Sequence, residues 1–129
     1  MALQYFQVAA AGDVSDVAGT DQFLMTAPAA GVVNVSQSFV CLTEGTGTMT
    51  VDGTIDLKVA GNKVGTATYT DNAGVGACFS FVPDGTYATT TDPNVTFDSG
   101  DAILVEIGTQ ATGTTDGDGI LYLAMELGK

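Results

Sequence analysis

Histidine, arginine and tryptophan are absent from this 129-residue chain, and lysine occurs three times, at Lys58, Lys63 and Lys129. Against fifteen acidic residues these lysines leave a net charge of −12. A protein that grips nucleic-acid phosphates must bring Lys or Arg to them, so nucleic acid and anionic membrane surfaces are excluded as expected partners. Without histidine there is no Ser-His-Asp or Cys-His arrangement and no imidazole to bind zinc. Carboxylate-pair chemistry is what remains of the common catalytic inventory, and no motif in the chain calls for it. The expectation is a protein that is not an enzyme and carries no cofactor. Tryptophan is the usual floor of a sugar-stacking site, so any ring stacking would fall to Tyr5, Tyr69, Tyr87 or Tyr122.

Long apolar runs are missing too: none approaches the ~20 residues of a membrane helix. The opening stretch MALQYFQVAA has neither the basic lead-in nor the apolar centre of a signal peptide, which points to a product made and kept in a cytoplasm. Cysteine is scarce. Cys41 and Cys78 stand in the apolar stretches SFVCLT and GACFSF; the two could form one disulfide, but without a secretion signal the favoured expectation is a pair of reduced, buried small hydrophobes.

What the chain does have is apolar residues recurring at period two, with seventeen glycines and many threonines between and beside them. Threonine suits a half-exposed strand face and is a poor helix former. The clearest segment is GTMTVDGTIDLKVAGNKVGTATYT, residues 47–70. Met49, Val51, Ile55, Leu57 and Val59 take odd positions, and Thr50, Asp52, Thr54, Asp56 and Lys58 take even ones. That pattern predicts one apolar and one wet face, with Gly53 at a bulge or bend and a tight hairpin turn at Gly61-Asn62.

The remaining segments repeat this grammar. QYFQVAA, QFLMTAP, GVVNVSQSFVCLT, ACFSFVP and GILYLAMEL all read as strands, the last with Leu121, Leu123, Met125 and Leu127 on one face and Tyr122 and Glu126 on the other. GVVNVSQSFVCLT carries apolar residues on both parities towards its end, as when a strand passes from an exposed to a buried surrounding. The pattern predicts an all-β, antiparallel β-sandwich or small barrel of about eight strands in a single domain.

Two acidic turns invite a site reading. In VTFDSGDAILVEIG, residues 95–108, Asp98, Ser99, Gly100 and Asp101 lie between two apolar alternations. Asp and Ser bond local N–H groups in turns and Gly supplies positive φ, which predicts a strand-to-strand corner with no ligand. TTDGDG offers Asp116 and Asp118 as weak metal candidates, but the twelfth position from Asp116 is Leu127, where an EF-hand loop needs Glu. Asp13, Asp16 and Asp21 read as a solvated loop or an arm.

The run GTGTMTVDGTIDLKVAGNKVGT, then VTFDSGDAILVEI, a short loop and GILYLAMEL resembles the small jelly-roll domains of tailed-phage structural proteins. Capsid decoration (cement) proteins and the knobs of head and tail fibres include such domains. More distantly the order is similar to tumour-necrosis-factor-like trimers, and the resemblance spans residues 32–127. It implies two packed antiparallel sheets, a homotrimer, and a role carried by surfaces. The expected function is then a virion structural protein: a decoration protein made in the host cytoplasm that binds the major capsid protein on the capsid exterior and stabilises the shell. The alternative is a receptor- or glycan-binding fibre knob. On this reading residues 1–31 form an N-terminal arm with the first strands, with Tyr5, Phe6, Phe23, Leu24 and Met25 as capsid-docking candidates. Residues 32–129 form the jelly-roll body.

Overall fold

The computed structural model describes residues 4–10, 14, 17–114 and 117–128, with the side chains of 8–10, 22–24 and 114 left out. Among these residues the structure is all-β, an antiparallel sandwich of two five-stranded sheets with a small third sheet at one end. Sheet I runs β1 (Gln4–Ala10), β12 (Gly119–Leu127), β3 (Gly31–Leu42), with β7 (Cys78–Ser80) and β9 (Asn94–Phe97) sharing the far edge of β3. Sheet II runs β2 (Asp21–Thr26), β10 (Ala102–Thr109), β5 (Thr54–Val59), β6 (Asn62–Thr68), β8 (Val82–Pro83). Sheet III pairs β4 (Thr48–Val51) with β11 (Thr112–Thr114). The chain passes repeatedly from one large sheet to the other; β5 and β6 are the consecutive pair joined by a hairpin within one of them.

The period-two pattern is the cause of the core. Ile55, Leu57 and Val59 from β5, Ile103, Val105 and Ile107 from β10, and Leu121, Leu123 and Met125 from β12 are all buried between the sheets. The predicted parity of β5 holds, but β4 departs from it: Met49 is buried while Val51 is 45% exposed. The chain bends between the two strands at Asp52-Gly53, so β4 enters sheet III and its face is set separately. Gly53 is needed there, because a Cβ would run into the Val14 and Ala111 side chains.

The two parities of β3 have a different origin from the expected change of surroundings. Between the pairs Asn34↔Ala124 and Phe39↔Tyr122, β3 advances five residues while β12 advances two. An odd excess inverts the face, so Val33 and Val35 point inward before the irregularity and Val40 and Leu42 after it. The buried Ser38 repairs the broken ladder: its hydroxyl accepts from the Ala124 N–H (3.0 Å) and donates to the Asn34 carbonyl (2.8 Å).

Two further expectations are corrected. The hairpin turn is Ala60-Gly61, with φ of 51° and 85°, and Val59↔Asn62 is its closing pair. Pairing Val59 rather than Ala60 keeps the last apolar residue of β5 in the core and leaves two positive-φ positions, the geometry of a twisted two-residue hairpin. Cys41 and Cys78 form a disulfide, and Cys78 is exposed. They face each other across β3 and β7 with Cα atoms 4.0 Å apart, on either side of a non-hydrogen-bonded position, as the adjoining Leu42 N–H to Ala77 carbonyl bond shows. Such pairs bring side chains closest together.

Residues 4–10 and 21–26 are integral strands, β1 along β12 and β2 along β10. Val14 between them is buried in the core, and its carbonyl accepts from the Ala111 N–H.

Candidate interaction surfaces

The outer face of sheet I carries a row of aromatic rings. Tyr5 on β1, Tyr122 on β12 and Phe39 on β3 project from three adjacent strands. The Phe39 and Tyr122 rings stack at 5.0 Å and 21°, and Tyr5 meets Phe39 at 5.7 Å, tilted by 53°. Phe39 lies directly opposite Tyr122, whereas Tyr5 is opposite Ala124. Ala124 is fully covered, and its small side chain leaves the space over which the Tyr5 and Phe39 rings approach each other. Each aromatic contact adds about 0.5–1.5 kcal/mol beyond burial of area. The disulfide extends the row on β3 and β7, with Ile120 half-buried opposite Cys41. Glu126, buried on β12, is the acidic residue among the described positions of this face. Tyr5 remains 56% exposed, so the row ends in an accessible aromatic ring.

The outer face of sheet II is charge-paired, with Leu104 half-buried and Val82 exposed beside the pairs. Lys58 bonds Glu106 at 3.3 Å, and Lys63 lies 3.8 Å from Asp56, which also accepts from the Thr66 hydroxyl at 2.8 Å. Two of the three lysines of the chain are therefore neutralised on this face.

A third surface is a pocket of about 280 Å3 lined by Val59, Ala60, Asn62, Val64, Tyr87, Asn94, Val95 and Thr96. It lies between the β5–β6 hairpin tip of sheet II and β9, the open edge of sheet I. The loop between β8 and β9 forms its rim and is pinned by its own hydrogen bonds. The Asp84 carboxylate accepts from the N–H groups of Tyr87 (3.1 Å) and Ala88 (3.2 Å), Ala88 is buried, and the Thr89 hydroxyl accepts from the Asp92 N–H. That framework holds Tyr87 at the pocket while leaving its side chain about half exposed.

The Asp-Ser-Gly-Asp segment is the corner by which β9 of sheet I passes to β10 of sheet II. The Asp101 carboxylate accepts from the Asp98 N–H (2.8 Å), Gly100 N–H bonds the Ala27 carbonyl, and Ala27 N–H bonds the Asp101 carbonyl. The Asp101 carboxylate closes the turn, and Asp98 takes part through its main chain. Of the two weak metal candidates, Asp116 lies outside the described residues, and Asp118 offers its main-chain carbonyl to the Thr43 N–H and hydroxyl. Among the described residues no group of three or more His, Cys, Asp or Glu is placed to hold a metal ion. Burial, reinforced by the charge of Asp118, pushes the Tyr69 phenol well above its ordinary range. Its ring stacks on Phe79 at 5.3 Å and joins the two sheets.

The five docking candidates do not form one patch. Tyr5 belongs to the aromatic row, while Phe6 and Met25 are half-buried against the core. Phe23 and Leu24 pair with Val105 and Leu104, and their side chains lie outside the described residues. Sequence reasoning missed Phe39, which joins Tyr5 to Tyr122, and Asn62, Asn94 and Thr96 of the pocket. No local pattern marks these residues; they meet through strand register. The chain matches no protein-family model and no curated protein.

Proposed function

We propose that this chain is a virion structural protein, a capsid decoration protein of jelly-roll type that assembles as a homotrimer and binds the major capsid protein on the outer shell. The observation that carries the reading is the aromatic outer face of sheet I. Copies bearing a net charge of −12 repel one another. The row Tyr5, Phe39, Tyr122, with the disulfide beside it, offers copies apolar contact with little opposing charge. Repetition of one modest contact around a threefold axis then raises the affinity of the assembled unit for a lattice through effective concentration. The shell is stabilised because whatever binds the assembled state favours it over its dissociated parts.

Two features support this reading. The chain's alternation between the two sheets is the winding expected of a jelly roll. A disulfide persists on particle surfaces outside a reducing cytoplasm, which suits a capsid exterior. The test is quantitative mass spectrometry of purified particles together with light scattering of the isolated protein. Copy numbers comparable to the major shell protein and a trimer in solution are expected; complete absence from particles overturns the reading. A few copies per particle would establish instead the second reading, a receptor- or glycan-binding fibre knob, which the pocket beside Tyr87 favours.

A further inference from the structure

We infer that the pocket between the β5–β6 hairpin and β9 is a binding site for one neutral sugar unit of a glycan. It stands apart from the aromatic face, on the open edge of the sandwich, and does not depend on how the chain assembles. Its volume of about 280 Å3 falls just below the roughly 300–1,000 Å3 of pockets for drug-sized ligands. That is space for a single pyranose ring.

The lining matches the two sides of a sugar. Tyr87 supplies an aromatic ring at the rim, the surface on which the C–H face of a pyranose packs, and its hydroxyl remains free to bond at the wet edge. Asn62 carries an amide that both donates and accepts, whereas Asn94 and Thr96, opposite Asn34 and Val32 on the outer face of sheet I, serve the pocket through their main chain. Val35 N–H bonds the Pro93 carbonyl and Val33 pairs with Val95, an alternation that turns the N–H and C=O groups of Asn94 and Thr96 towards the open edge of β9. Val59, Val64 and Val95 form the apolar part of the lining.

Charge selects the class. No lining residue is ionisable at neutral pH, and none is a cation, although the chain as a whole is strongly acidic. Sialic acids, uronic acids and sulfated sugars would need a positive partner to offset their desolvation; a neutral hexose or N-acetylhexosamine does not. An extended peptide fits less well, because β9 spans only Asn94–Phe97 and offers polar side chains at alternate positions. The hydrogen bonds that the Asp84 carboxylate and the Thr89 hydroxyl accept hold the rim loop in place, so little ordering opposes binding.

The experiment is a titration of the 15N-labelled full chain with methyl glycosides of glucose, galactose, mannose, N-acetylglucosamine and N-acetylgalactosamine. Each is followed by amide shifts and saturation transfer, with sialic acid and a β-strand peptide alongside. At least one neutral glycoside should shift the amides of Asn62, Tyr87, Asn94 and Thr96 saturably, with a dissociation constant on the order of 1 mM for so small a ligand. Tyr87→Ala should weaken it roughly tenfold and Tyr87→Phe much less, since stacking is retained. Tyr87 is half exposed, so both variants should keep the wild-type spectrum elsewhere. The inference is overturned if no neutral glycoside shifts these amides, if Tyr87→Ala binds undiminished, or if only sialic acid or the peptide binds there.

Discussion

The two large sheets bury similar inner faces and differ on their outer ones. Inside, both contribute aliphatic side chains at alternate positions, Leu121, Leu123 and Met125 from one and Leu57, Ile103 and Val105 from the other. Outside, sheet II places Lys58 against Glu106 and Lys63 near Asp56, an arrangement at home in water. Sheet I instead places Phe39 on Tyr122 and Tyr5 on Phe39, and covers Ala124 and Asn34 almost completely. An antiparallel sheet can leave one face to solvent, and the solvated face is ordinarily polar. Sheet II follows that rule at its ion pairs, although Val82 on its edge strand is exposed. Sheet I departs from it: Tyr5 is exposed, and Phe39 and Tyr122 are half-buried against each other.

The largest effect should come where the sheets are alike. Leu57→Asp places an unpaired charge in the shared core and is expected to cost more than about 4 kcal/mol. Circular dichroism and solubility should report loss of the folded state, and a folded, soluble variant would show that the inner face of sheet II is wrongly assigned.

Next comes the covalent link on the outer face of sheet I. Opening the Cys41–Cys78 bridge, which spans a sequence separation of 37, should lower stability by about 2–4 kcal/mol through the freed unfolded chain. Denaturant titration of Cys78→Ser, or of the wild type with reductant, measures this. An unchanged midpoint would mean that the register of β7 on β3 needs no bridge.

The stack that ties the sheets together has its own signature in pH. Folding raises the Tyr69 pKa above the value of about 10 found in the unfolded chain. The stabilisation is therefore complete below pH 10. It is lost as pH rises from there towards the folded-state pKa, by up to about 1.4 kcal/mol per pH unit. Urea midpoints at pH 8 to 11 for the wild type and Tyr69→Phe should diverge above pH 10, with the phenylalanine variant the flatter. Parallel curves would mean that the phenol is not buried.

Phe39→Ser on sheet I and Lys58→Ala on sheet II compare the outer faces directly. Removing Phe39 breaks both ring contacts and should cost about 1–3 kcal/mol in the monomer; if the proposed trimer forms through this face, light scattering should show that the variant no longer assembles. Removing Lys58 deletes a half-buried surface pair worth about 0.2–1 kcal/mol and should leave the oligomeric state untouched. Equal effects of the two on assembly would erase the distinction between the faces.

Where one strand answers to one period, the sequence is readable. The parity of β5, the bend at Gly53 and the turn at Asp98–Asp101 each depend on residues a few positions apart. The odd and even apolar residues of β3 were not readable in the same way, because the irregularity between Asn34 and Phe39 exists only against β12. Residues 1–31 carry the weakest pattern. They nonetheless supply a strand to each of the two large sheets, since β1 and β2 are held by ladders to β12 and β10, late in the chain.

By itself the sequence determined an all-β chain, the inward residues of its regular strands, a strongly acidic surface and the lack of an imidazole. These follow from composition and from the alternation of side chains along an extended backbone. Tertiary structure alone decided that Cys41 meets Cys78, that Tyr5, Phe39 and Tyr122 share one face, and that Tyr87 stands beside Asn62 and Asn94. Each of these groupings joins residues distant in the chain, and contact between them is set by strand order and register. A shift of one residue turns a side chain to the opposite face.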